Sequence, residues 1–262
     1  MSLPTAFFVS SADGYLATEL CRGPWDPGTA HGGPVAALFG REAERFDPDP
    51  DLATVRLTIE LLRPVPLAEL RFQTALLRPG KRVRLIGLSL FHDDTEVARA
   101  TVLRVKRVPA DAPEPQASAS VEVDGPDGLP PAPSLAVGGF GITDGVELRS
   151  AYGSAVEPGP AAYWFRVHKP LVDADPITPL TRALIAADFG NGIASVLSID
   201  DHVFINPDLT VTVHRLPEGE WVLNTAQTWL HPGGSAIAEA TLSDEAAPFG
   251  RAEQTLFVDS RS

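Results

Sequence analysis

The chain has one cysteine, Cys21, so an intrachain disulfide and a cysteine-clustered zinc site are both excluded. Its histidines (His31, His92, His168, His202, His214 and His231) are scattered without ligand spacing, and neither a metal nor another cofactor is expected. Also missing are the G-x-S-x-G elbow, the Walker loop, the G-x-G-x-x-G fingerprint and the H-E-x-x-H pair. No run reaches the roughly 18 apolar residues that span a bilayer, and the first eight residues lack the basic and apolar regions of a signal peptide. A soluble cytoplasmic protein with no membrane partner is the expectation. Positive charge is scarce as well. Against 34 Asp and Glu stand 21 Lys and Arg, a net charge of -13, and the one basic cluster is Arg99 to Arg107. Nucleic acid, which needs a basic face, is therefore not expected as a partner.

What is present suits a folded protein. Hydrophobic residues make up 44% of 262 positions, enough for one large core or two ordinary ones. Between them, Val108 to Gly138 is dominated by proline, alanine, glycine and acidic residues. Such a stretch gains too little by burial to offset its ordering entropy. It predicts a linker over 109–138 between domains at 1–108 and 139–262. In the first domain, His31 to Phe46 opens with glycines and a proline and continues as an amphipathic helix carrying Val35, Leu38 and Phe39 on one face. Four strands follow, Ala53 to Leu61, Leu70 to Leu77, Arg82 to Phe91 and Glu96 to Lys106, separated by short turns as in an antiparallel sheet. The second domain shows strands at Val146 to Tyr152 and Ala161 to Val167, then a helix at Pro179 to Phe189. Further strands are predicted at His202 to Ile205, Leu209 to His214, Trp221 to Trp229, Ser235 to Leu242 and Arg251 to Val258.

The halves echo each other in letters. Leu57 to Arg63 (LTIELLR) lies against Leu209 to Arg215 (LTVTVHR), and Ala98-Arg99-Ala100 against Gly250-Arg251-Ala252. Both pairings share one offset of 152, from 215 minus 63 and 251 minus 99. A constant offset over separate segments favours a duplicated unit, each copy an antiparallel sheet against an apolar helix, an α+β fold.

Two polar residues interrupt this apolar plan. Asp188 ends an otherwise apolar helix, where the helix dipole and loss of hydration would both strengthen a carboxylate as a base. Gln254 alternates with Ala252, Leu256 and Val258 on one strand face, and a buried amide there needs a partner. At the repeat offset the first copy has Val102 opposite Gln254 and Thr54 opposite Asn206. The helix comparison, Pro34 against Pro179, sets Ala43 opposite Asp188. Only the second copy is therefore expected to assemble a base, with Glu42 as the nearest carboxylate if the first-helix register is wrong.

These residues carry a resemblance. His31-Gly32-Gly33-Pro34, Leu61-Leu62-Arg63-Pro64, Ala187-Asp188-Phe189-Gly190-Asn191-Gly192, Phe204-Ile205-Asn206-Pro207-Asp208-Leu209 and Arg251-Ala252-Glu253-Gln254-Thr255 are similar, in order and spacing, to the acyl-CoA thioesterase II (TesB-like) family. The resemblance covers nearly the whole chain outside the proline-rich segment. It implies a double hot-dog fold, each domain an antiparallel sheet wrapped around a central helix, and a homo-oligomer, most simply a homodimer. It also implies hydrolysis of an acyl-CoA thioester by water, without metal or covalent intermediate. On this resemblance Asp188 takes the water proton while Asn206 and Gln254 fix the water. Asn206 stands where other members carry Ser or Thr, so Thr210 is the reserve for that role. His31, Gly32, Gly33 and Gly190 are expected against the substrate, and a backbone N–H at a helix start or strand edge is expected to meet the oxyanion. Two rival functions are weighed against this one. The departure at Asn206 to Leu209 leaves open a non-catalytic acyl-CoA or lipid-binding protein. Asp173-Ala174-Asp175-Pro176-Ile177-Thr178 resembles the Asp-x-Asn-Pro-Ile-His stretch of enoyl-CoA hydratases, but has threonine where the proton-shuttling histidine would stand.

Overall fold

The computed structural model describes residues 3–108, 123–132, 141–173 and 175–261. Most of the predicted linker lies outside these residues. Its 123–132 part packs on the second half, where Asp124 O accepts the Trp164 indole N–H at 2.9 Å and Pro126 O accepts from Arg149 at 2.6 Å.

The first half runs β1 (Phe8–Ser10), β2 (Tyr15–Ala17), α1 (Gly32–Arg45), β3 (Leu52–Leu61), β4 (Glu69–Arg78), β5 (Val83–His92) and β6 (Thr95–Lys106). The second runs β7 (Val146–Tyr152), β8 (Ala161–Val167), α2 (Pro179–Ala187), α3 (Gly190–Ile193), β9 (His202–Ile205), β10 (Asp208–Val213), β11 (Trp221–Leu230), β12 (Ser235–Ser243) and β13 (Pro248–Ser260). Every long element expected from periodicity is present. β1 and β2 have three residues each, too short to show a pattern, and they form because Tyr15 and Leu16 pair with β4.

The strands make one antiparallel sheet in the order β1-β2-β4-β5-β6-β3-β10-β13-β12-β11-β8-β7, with β9 added against β13. At its centre β3 pairs with β10, and Thr58 faces Thr210, its own counterpart at the offset of 152. The same offset relates neighbouring pairings. Glu60 faces Arg99 as Thr212 faces Arg251, Ile86 faces Val102 as Ala238 faces Gln254, and Thr74 faces Leu88 as Ala226 faces Ala240. The repeat is thus one of hydrogen-bond register as well as of letters. A residue opposed by its own counterpart in an antiparallel seam marks a local pseudo-twofold axis.

Alternation along β3 and β10 turns Leu57, Ile59, Leu209 and Val211 inward, where they join Val35, Leu38 and Phe39 of α1 and Leu180, Leu184 and Ile185 of α2 in one buried core. Each such side chain contributes about 1.5–3 kcal/mol by leaving water. The two helices pack against each other. Their close approach requires glycine: a Cβ on Gly33 would sit 2.9 Å from Ile185 O, and one on Gly40 2.4 Å from Leu184 Cδ1. The start of α1 thereby meets the end of α2.

Candidate active site

α2 begins with Thr178 as its N-cap and Pro179 in its first turn, then runs apolar through Leu184, Ile185, Ala186 and Ala187. Asp188 is its C-cap, 7% exposed, and its carboxylate meets two amide donors and the His31 ring. Asn206 Nδ2 and Gln254 Nε2 each donate to Oδ1 at 2.9 Å, and His31 Nδ1 lies 2.9 Å from Oδ2. The sequence thus located Asp188, Asn206 and Gln254, residues far apart in the chain, and the fold brings them to one carboxylate.

Each partner is placed by its own element. Gln254 faces inward from the middle of β13 because alternation buries Ala252, Gln254, Leu256 and Val258. Its amide is fully used: Nε2 also donates to Asp188 O at 3.1 Å, and Oε1 accepts Asn191 N–H at 3.2 Å. This answers the need of a buried amide for partners and caps the frayed end of α2. Asn206 sits between β9 and β10. Pro207 O accepts from Leu61 N at 2.7 Å and Asp208 Oδ1 accepts from Thr255 N at 2.7 Å, which pins this corner to β3 on one side and β13 on the other. His31 is the N-cap of α1, and its Nδ1 lies 3.0 Å from Gly33 N, an acceptor for that N–H when it carries no proton of its own. Its ring stacks on Phe189 with centroids 4.7 Å apart.

Other expected residues fall differently. Thr210 lies in β10 opposite Thr58 and Glu253, and does not line the cavity beside Asp188. Its neighbours Leu209 and Val211 turn to the core, so alternation directs Thr210 to the other face of the sheet. Gly190 also stays out of the cavity. Its missing side chain leaves room for the Gln254 amide, since a Cβ there would sit 3.1 Å from Oε1. Gly33 serves helix packing and capping. His31 and Gly32 do line the cavity, and a Cβ on Gly32 would stand 2.6 Å from Asp188 Oδ2.

The cavity has a volume of about 690 Å³ and is walled by both halves: Trp25, Val35, Leu61 and Val65 from the first, Leu197, Ile199, Phe204 and Leu256 from the second. An apolar cleft with a few convergent polar groups at its base suits a small-molecule substrate. Asn191 adds a buried Oδ1 that has no hydrogen-bond partner among the described residues. Among those residues no cluster of potential metal ligands occurs, and no helix is long and apolar enough to cross a membrane.

At the counterpart position in the first half, the expected Ala43 and Val102 are present and buried. Glu42 turns away to the Tyr15 hydroxyl at 2.5 Å and to Arg41 at 2.9 Å. The carboxylate that occupies this place is Glu44, which accepts from Thr178 Oγ1 at 2.9 Å. Glu44 and Thr178 thus mirror Asp188 and His31, each a carboxylate near one helix end beside the N-cap of the other helix. Sequence comparison missed this because Glu44 against Asp188 is an offset of 144, one residue short of the 145 set by Pro34 against Pro179. Burial pushes the Glu44 carboxyl up, against the Thr178 bond and nearby Arg104. The Arg104 side chain is buried against the end of α1, donating to Asp47 O at 3.0 Å and to Ala43 O. The hydratase-like stretch is structural too: Asp173 accepts from Ser10 N at 2.7 Å, Asp175 from Arg41 at 3.0 Å, and Thr178 caps α2.

Comparison with known proteins agrees with this geometry. The model of the acyl-CoA thioesterase N-terminal domain matches residues 21–105, and that of the acyl-CoA thioesterase C-terminal domain matches residues 104–258. No curated protein matches the sequence. Among solved structures, a protein with a hot-dog fold from Alicyclobacillus acidocaldarius superposes with a TM-score of 0.76 at 14% identity, covering 97% of this chain and 96% of its own. Acyl-CoA thioesterase II TesB2 from Mycobacterium marinum superposes with a TM-score of 0.70 at 18% identity, covering 88% of this chain and 90% of its own. At these identities the superpositions establish the fold, a hot-dog sheet and helix, and the family models establish the lineage. The chain belongs to the acyl-CoA thioesterase family, whose reaction is hydrolysis of acyl-CoA thioesters.

Proposed function

We propose that the chain hydrolyses its acyl-CoA at the Asp188 centre, as a double hot-dog in which one composite site lies between the halves. The observation that carries this reading is the convergence of Asn206, Gln254 and His31 on one buried carboxylate at the base of an apolar cavity. Asn206 and Gln254 fix the carboxylate that the water meets. Asp188 supplies the basicity that lets a water attack the thioester carbonyl, and the apolar walls receive the acyl chain. For the developing oxyanion, Gly32 N–H is the candidate donor. It lies in the first turn of α1, where Pro34 has no N–H, and it has no acceptor among the described residues. Water held against a fixed carbonyl gains much of the benefit of proximity. A homodimer belongs to the same proposal.

Asp188→Asn is expected to lower thiol release by roughly 10²-fold or more, the usual scale of a general base. The assay is thiol release from a panel of short, medium and long acyl-CoA substrates. A variant that hydrolyses the panel at the wild-type rate would remove Asp188 from the reaction. Tight acyl-CoA binding with no thiol release by the wild type would instead make the chain a binding protein.

A further inference from the structure

We propose that His31 is the proton carrier of this site, its Nε2 taking the proton of the attacking water while Asp188 supports the ring from Nδ1. The inference rests on the reading of Asp188 as the centre of water activation, and assigns the proton's path. Oδ1 of Asp188 is occupied by two amide donors, and Oδ2 faces His31 Nδ1 at 2.9 Å. Two unprotonated atoms at that distance would set lone pair against lone pair, so one proton lies between them. With that proton on Nδ1 the nitrogen donates to Asp188 and does not also accept Gly33 N–H, whose nitrogen lies 3.0 Å away; the carboxylate and the stack on Phe189 fix the plane of the ring. His31 lines the cavity, and its Nε2 has no hydrogen-bond partner among the described residues. The ring is therefore oriented at one nitrogen by a carboxylate, and the other is the nitrogen left to act in the cavity that His31 lines. A carboxylate behind an imidazole in this way stabilises the imidazolium that forms during proton transfer.

The atoms balance as follows. One O–H bond of water breaks and its proton moves to Nε2 as the water oxygen bonds to the carbonyl carbon. The carbonyl π pair moves to oxygen and returns as the C–S bond breaks, leaving its pair on sulfur. Nε2 then gives the proton to the thiolate, and the carboxylic acid product loses its own proton to solvent. The first half would thus contribute a residue that touches the reacting atoms, and the site would not exist in either half alone.

The test compares kcat, KM and their pH profiles for wild type, His31→Asn and Asp188→Asn. Asparagine is a good N-cap, so α1 keeps its start while the second ring nitrogen is lost. Asp188 at the end of α2 meets His31, and the other charged groups lining the same cavity are Asp26 and Arg63 from first-half loops and Glu157 and Asp200 from second-half loops. All are common to wild type and His31→Asn. The expected result for His31→Asn is a kcat lower by roughly 10²- to 10³-fold, a KM within a few-fold of wild type, and loss of the acid limb of the wild-type pH profile. A kcat within about five-fold of wild type, or an acid limb that persists whatever the loss, overturns the role of His31. If Asp188→Asn remains inactive in that case, the parent reading stands. If Asp188→Asn is active, the parent reading itself fails. Circular dichroism establishes that each variant is folded, and His31→Gln takes the place of His31→Asn should the latter not fold.

Discussion

Gln254 shows how one residue can separate stability from chemistry. Its counterpart Val102 is fully buried opposite Ile86, so the fold accepts an apolar side chain at this register. In the second half, the amide instead joins Asp188, the end of α2 and Asn191. Gln254→Val should therefore fold, at a cost of about 1–3 kcal/mol for the unsatisfied Asn191 N–H and Asp188 carbonyl. Its kcat should fall by about ten-fold or more, because the carboxylate loses one of its positioning donors. Thermal unfolding and thiol release on the same preparation measure both. A kcat unchanged beside a lowered Tm would make Gln254 a structural cap alone. Alternation and the repeat offset made Gln254 legible from sequence. His31 was legible as a helix-opening residue expected against the substrate, but not as a partner of Asp188, because that contact spans 157 positions of chain and depends on how two helices cross.

Between residues and molecule lie the turns that hold the site strands together. Asp244, in the β12–β13 turn, accepts from Arg215 at 2.9 Å, from Glu218 N at 2.9 Å, and from Ala246 N and Ala247 N at 3.0 Å each. Burial alone would push its carboxyl up, but the guanidinium and the three backbone N–H groups hold it well below the usual carboxylate range. A folded-state value below the unfolded one means that this stability is fully present above about pH 4 and is lost as pH falls further toward the folded value. Asp244→Asn should cost about 2–4 kcal/mol at neutral pH, since it leaves a partly buried guanidinium without its countercharge. Urea unfolding at pH 7 and near pH 3 should show the variant losing less on acidification than the wild type; equal losses would place the acid sensitivity elsewhere. The helices also taught a lesson at this scale. Their period and caps were readable, yet their pairing register was not, so the carboxylate mirrored on Asp188 is Glu44 and the nearby Glu42 is committed to Tyr15 and Arg41.

Across the whole molecule, the shared register of the halves places the β3–β10 seam at a pseudo-twofold axis. The seam pairs two strands that would otherwise be exposed edges prone to further pairing. On the outer face of the sheet Trp229, Ile237 and Phe257 are each about half exposed, and Leu77 is 55% exposed at the counterpart of Trp229. With the family resemblance, these residues motivate the proposed homodimer. Light-scattering mass in solution at micromolar concentration is expected to be about twice that of one chain; a mass of 27.9 kDa would exclude it.

The sequence by itself determined the order of helices and strands, the repeat, the family, and Asp188, Asn206 and Gln254 as residues that the fold brings together. Period, caps and a constant offset are local or one-dimensional signals, and the amides at Asn206 and Gln254 stood out because polar side chains in apolar surroundings need partners. Tertiary structure decided the rest: that both amides donate to Asp188, that Thr210 points away from it, and that His31 from the other half completes its set of partners. Those outcomes depend on helix crossing and on which face of a sheet meets which helix end. Such relations arise between elements distant in the chain, and the packing of glycines at the helix contact fixes them.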